Sequence, residues 1–103
     1  MQVNFDAPIT DLKGEPLKDG ENVVTLASVA CTALMAAFPD EQNLDAKAKI
    51  TRFNLAMLVV DGGVCEVKTE ELAELKKVLG RAFGPLVVGR AFEIIESASV
   101  TKE

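Results

Sequence analysis

The stretch Thr25-Leu-Ala-Ser-Val-Ala-Cys-Thr-Ala-Leu-Met-Ala-Ala-Phe38 lies in a run without any charged residue between Glu21 and Asp40. Leu26, Val29, Leu34 and Phe38, with Ala30, Ala33 and Ala37 between them, follow the i, i+3, i+4, i+7 spacing of one helical face. The other face carries only Ser28, Thr32, Met35 and Ala36. A helix this apolar on every side belongs inside a globular core or inside a membrane. A membrane span needs roughly 20 strongly apolar residues, whereas this run is bounded by Thr25 and Pro39, is rich in Ala and carries hydroxyls. The reading is a central core helix over 26–38, with Thr25 as N-cap.

The neighbours must therefore cover it. Pro39-Asp-Glu-Gln-Asn-Leu-Asp45 breaks the chain, and Asp45 is a good N-cap for a second helix over 46–60. There Ile50, Phe53, Met57 and Val60 follow a 3-4-3 spacing, and Leu55, Leu58 and Val59 widen the apolar surface until the C-terminal half is nearly enclosed. Asp61-Gly62-Gly63 stops this helix, since Gly tolerates the left-handed conformation that closes one. A third helix over 70–83 has Thr69 as N-cap, Glu70 and Glu71 in its first turn, and Leu72, Leu75, Leu79, Ala82 and Phe83 on one face. Gly84-Pro85 makes a tight corner into a fourth helix over 86–96, with Pro85 at a first-turn position that needs no N–H. Leu86, Val88, Gly89, Phe92 and Ile95 cover one side of it, and Gly89 is read as a point of close helix approach.

Before the central helix, Val3 and Phe5 alternate with polar residues in the period of a short strand. Ile9 to Leu17 reads as a hairpin turning at Lys13-Gly14, with Pro16 at an edge. Lys18 to Asn22 reads as a loop. Val64-Cys-Glu-Val67 is short and partly alternating and reads as a brief strand or an extended link, able to pair with the N-terminal arm. The whole is predicted to be a mainly α, compact four-helix domain with a short N-terminal β hairpin. It forms a single domain, with hairpin and loop over 1–24, the helical core over 25–96 and a frayed tail over 97–103. No internal repeat or dividing linker is present.

The 103 residues suffice to bury a core without metal or disulfide staples. Hydrophobic residues make up 49 % and charged residues 26 %, the balance of a folded protein rather than a disordered one. There is no His, which removes the commonest general base and the commonest neutral metal ligand. No nucleophile–base pair can be named, so no catalytic, cofactor-binding or metal-ligating residue is assigned, and a small enzyme is the most distant reading. Cys31 and Cys65 form no CxxC pair and read as reduced, buried thiols, which with the polar N-terminus points to the cytoplasm.

Net charge is −5, unevenly spread. Residues 1–45 hold eight acids against Lys13 and Lys18, whereas residues 46–90 hold eight bases against five acids. Overall repulsion disfavours nucleic acid, and although Lys76, Lys77, Arg81 and Arg90 suggest a basic stripe, no Tyr or Trp interleaves with it. The separation of charge suits head-to-tail self-association of the acidic end with the basic end instead. Asp40, Glu41 and Asp45 read as a solvated connection more than as a cation site. Ser28 and Thr32 read as bonding back to helix carbonyls, and the charged face from Lys68 to Glu74 as solvated or as a partner surface.

Asp11-Leu-Lys-Gly-Glu-Pro-Leu17, Thr25-Leu26 with its Ala-rich helix, Thr69-Glu-Glu-Leu72 and Pro85-Leu-Val-Val-Gly-Arg-Ala-Phe92 together resemble small proteins encoded by tailed phages and prophages. The resemblance spans most of the chain and carries no catalytic residue onto it. It implies a role inside a bacterial host, in virion or tail assembly or in regulating a host protein.

The second and fourth helices carry more large apolar residues than contact with the central helix requires. The expectation is a non-enzymatic protein acting by protein–protein contact, on a phage structural or host protein, with homo-oligomerisation a further outcome. Val87 and Ile94, off the main face of the last helix, and Leu55 and Leu58 on the second are the expected contact residues. No membrane contact is expected. The alternative is an acidic regulator or inhibitor that offers Asp6 to Asp45 to a basic host protein.

Overall fold

Pro39 fixes where the central helix ends, because its ring would clash with the carbonyl four residues back, at Met35, and it has no N–H to offer that carbonyl. In the computed structural model, which describes residues 2–39 and 45–100 with the last three as backbone only, this helix, α1, spans Leu26–Met35. The expected extension to Phe38 is therefore corrected: Ala36 is already extended, and Phe38 packs from outside the helix, partly against the core. At the other end Thr25 Oγ1 accepts from Ser28 N–H, and Ser28 Oγ accepts from Thr25 N–H, a reciprocal cap. Ser28 and Thr32 do bond back, donating their hydroxyls to the carbonyls of Thr25 and Ser28.

Six of the ten residues of α1 are buried, among them Val29 and Leu34. The other helices are α2 (Ala46–Val59), α3 (Thr69–Ala82) and α4 (Pro85–Val100). α1 packs against both α2 and α3, and α4 packs against α3 and the first strand, β1 (Gln2–Asn4). The architecture is the mainly α, four-helix one expected. α4 runs on helically through Val100, past the point where a frayed tail was expected; residues 101–103 of that tail lie outside the described residues.

Asp45 caps α2 as expected, its Oδ1 accepting from Ala48 N–H at 2.9 Å. For α3 the cap is Lys68 and not Thr69. Glu71, at the third helical position, reaches back to accept Lys68 N–H at 2.8 Å, while the Lys68 side chain has no oxygen to accept from the first-turn N–H groups, the work expected of the threonine hydroxyl. Pro85 is the first residue of α4, and Val88 N–H reaches Gly84 C=O across the corner. Gly89 is exposed, and a Cβ there would meet nothing, so the close helix approach read from it does not occur. α4 instead buries Ala91 and Ile95.

β1 pairs antiparallel with β4 (Val64–Glu66) in the register Gln2 to Glu66, Val3 to Cys65 and Asn4 to Val64. The expected link between the N-terminal arm and this segment is thus present. The rest of the arm differs in detail. Thr10 and Pro16 form only an isolated bridge around the Lys13-Gly14 turn, while the stretch read as a loop is itself a tight hairpin of β2 (Lys18–Asp19) and β3 (Asn22–Val23). Gly20, at φ +66, supplies the turn. Backbone bonds from Ile9 to Val24, from Leu17 to Ile9 and from Val24 to Leu17 knit the arm together and bury Ile9.

Candidate partner surface

α2 is the element whose orientation decides what the molecule shows to solvent. Its buried residues are Arg52, Leu55, Ala56 and Val59, an i, i+3, i+4, i+7 set. The 3-4-3 set read as its apolar face points the other way: Ile50, Phe53, Met57 and Val60, with Leu58 beside them, are each between 45 and 60 % exposed. The C-terminal half is accordingly open on one side and not enclosed. Val64, at the start of β4, is a further exposed apolar residue beyond the helix end.

Two physical features turn α2 this way. Ala56 is small enough for α1 to come close, so that the Cys31 thiol sits 3.7 Å from the Ala56 carbonyl oxygen. Arg52 is 3 % exposed, and its Nε lies 2.6 Å from Glu74 Oε2 on α3. The aliphatic stem of Arg packs like a hydrophobe when its head is paired. Sequence reasoning missed this residue because a charge on an otherwise apolar face argues for solvent until its counter-ion on another helix is known.

Of the four expected contact residues, Leu58 lies on the open surface. Leu55 is 2 % exposed and belongs to the core of its own chain, which corrects its assignment as a contact. Val87 and Ile94 are half-buried and pack against that core, so the α4 part of the expected surface is largely occupied from within. The exposed residues that replace them, Ile50, Phe53, Met57 and Val60, were visible in the sequence as a 3-4-3 stripe, but none of the four was among the named contacts.

Three of the four residues of the basic stripe are engaged within the molecule, and Lys77 is exposed. Lys76 pairs with Glu96 at 3.0 Å and stands over the Phe92 ring, Arg81 lies over the Phe38 ring at 4.8 Å, and Arg90 pairs with Glu93. Arg90 also donates to the Asp11 carbonyl at 2.7 Å, fastening the N-terminal arm to α4. The Asp11 carboxylate accepts from the N–H groups of Lys13 and Glu15. Its pKa is held below the usual carboxylate value, by the bond from Glu15 first and with smaller help from Lys13, Gly14 and Arg90.

A cleft of about 380 Å³ is lined by Asp45, Lys47, Ala48, Thr51, Glu70 and Glu74. Two of its three carboxylates are committed, Asp45 to the α2 cap and Glu74 to Arg52. Asp40 and Glu41 lie outside the described residues, and among those described no cluster of three or more acids, thiols or imidazoles is suited to a metal. Asp61-Gly62-Gly63 closes α2, with Gly62 at φ +77 and its N–H on the Val59 carbonyl. Cys31 and Cys65 are free thiols, and partial burial pushes the Cys31 pKa up. Among the described residues no helix is long and apolar enough to cross a membrane.

Comparison with protein-family models, with curated proteins and with solved structures finds no match to the chain.

Proposed function

We propose that the chain is a non-enzymatic module that works by protein–protein contact, through the outer apolar face of α2. The observation that carries this reading is the exposure of Ile50, Phe53, Met57, Leu58 and Val60 on one helix, while the opposite face of the same helix closes the core. Large apolar side chains gathered on one exposed helix face are the usual mark of a helix that docks against another protein.

With the resemblance to tailed-phage and prophage proteins, the fitting role is an assembly factor in a bacterial host that recognises a structural component by apolar contact. The test is co-purification of virion structural proteins with the wild type and with Phe53→Asp, in low and in high salt. The reading expects a structural component retained by the wild type, released by Phe53→Asp, and still held in high salt. Retention by both proteins would sink it. A partner lost with salt and indifferent to Phe53 would point to the acidic regulator, since exposed charge pairs are screened as the Debye length falls from about 10 Å at 0.1 M to about 3 Å at 1 M.

A further inference from the structure

The exposed face of α2 has a symmetry of its own. The spacing Ile50, Phe53, Met57, Val60 is three, four, three, which reads the same in both directions. An antiparallel pair of α2 helices therefore sets Ile50 against Val60 and Phe53 against Met57, each twice, with no apolar residue left facing a charge. The charges flanking the stripe follow the same rule. Lys47, Asn54 and Asp61 are seven residues apart and share one flank, with the cation near the helix start, the anion just past its end and the amide between them. All three are exposed, and among the described residues neither Lys47 nor Asp61 has an ion-pair partner in its own chain.

From this arrangement we infer that the outer face of α2 takes a second copy of the same chain, in a twofold-symmetric antiparallel contact. The inference rests on the reading of that face as a docking surface. A twofold axis perpendicular to the two helices brings like flanks together. It places Lys47 of each copy beside Asp61 of the other, and Asn54 beside its own counterpart on the axis, where an amide can donate and accept at once. A parallel pair would bring the two Lys47 side chains to one end and the two Asp61 side chains to the other, and like charges oppose it. The contact area of one short helix is below the ~800 Å² per partner of a standard stable interface, so the dimer is weak and concentration-dependent.

Sedimentation over a concentration series, with Lys47→Glu, Asp61→Lys and the double reversal, tests this. The wild type is expected to dimerise reversibly. Each single reversal replaces two attractions by two repulsions and is expected to raise the dissociation constant about fivefold or more. The double reversal is expected to bring it back towards wild type. Phe53→Asp is expected to be monomeric with an unchanged circular dichroism spectrum. A wild type that stays monomeric to millimolar concentration would overturn the inference, as would single reversals without effect or a double reversal no better than the singles. Self-association can fail while the reading of the face stands: in that case the wild type is monomeric yet retains a virion component that Phe53→Asp releases. If Phe53→Asp releases nothing, the reading of the face has failed.

Discussion

Arg52 Nε on α2 lies 2.6 Å from Glu74 Oε2 on α3, with the arginine side chain 4 % exposed and the glutamate 26 %. With the close approach of α1 at Ala56, this pair accounts for the rotation of α2 about its own axis, and with it for the identity of the face left to solvent. Glu74→Ala leaves a buried guanidinium without this partner and is expected to cost about 1–3 kcal/mol, less than a fully enclosed pair because Glu74 reaches solvent. Arg52→Met, which keeps the stem and removes the charge, is expected to cost less than Glu74→Ala. Urea denaturation of both variants measures the order, and a costlier Arg52→Met would contradict the role given to the pair.

The two faces of α2 and its neighbour α1 should respond oppositely to truncation. Leu34 is 2 % exposed, and Leu34→Ala is expected to cost about 2–5 kcal/mol from lost transfer energy and a residual cavity. Phe53→Ala, on the open face, should stay within about 0.5 kcal/mol. Equal shifts in denaturation midpoint would mean that α2 is turned the other way.

Two glycines give opposite signs under one substitution. At Gly62, with φ +77, an added Cβ would run into Asp6 Oδ1, and Gly62→Ala is expected to destabilise by more than about 1 kcal/mol. At Gly89, within α4 and facing open space, Gly89→Ala is expected to stabilise by about 0.5–1 kcal/mol. Paired thermal melts read the contrast directly.

Acid should loosen the arm that Asp11 organises. Its carboxylate has a folded pKa depressed mainly by the Glu15 N–H, so its contribution to stability is present above the ordinary unfolded carboxylate value and is lost as pH falls through the folded value. Asp11→Asn should therefore melt below wild type at neutral pH, with the gap closing in acid. A gap that stays constant across this range would contradict the assignment.

The fold was legible where local chemistry decides it. Thr25, Asp45, Gly62 and Pro85 mark helix ends through caps, a positive φ or a missing N–H, and each acts where it stands in the chain. Pairing of the N-terminal arm with Val64 to Glu66 was also readable, from period-two alternation. What escaped was decided by distant partners. The counter-ion of Arg52 is 22 residues away on another helix, and without it the stripe from Ile50 to Val60 looks like the inner face and Leu55 like a surface residue. Thr69 stands inside α3 as its first residue, one position past the cap, where Glu71 accepts the N–H of Lys68.

The most direct test of the α2 face as the contact surface is photo-crosslinking in cells that produce the protein, with a photoreactive phenylalanine analogue at position 53 and, as control, at position 13. Lys13 is exposed on the turn of the arm whose Asp11 carbonyl is held by Arg90 of α4. Protein adducts are expected from position 53, to a second copy or to another protein, and few from position 13. Adducts from position 13 with none from position 53 would contradict this assignment of the face.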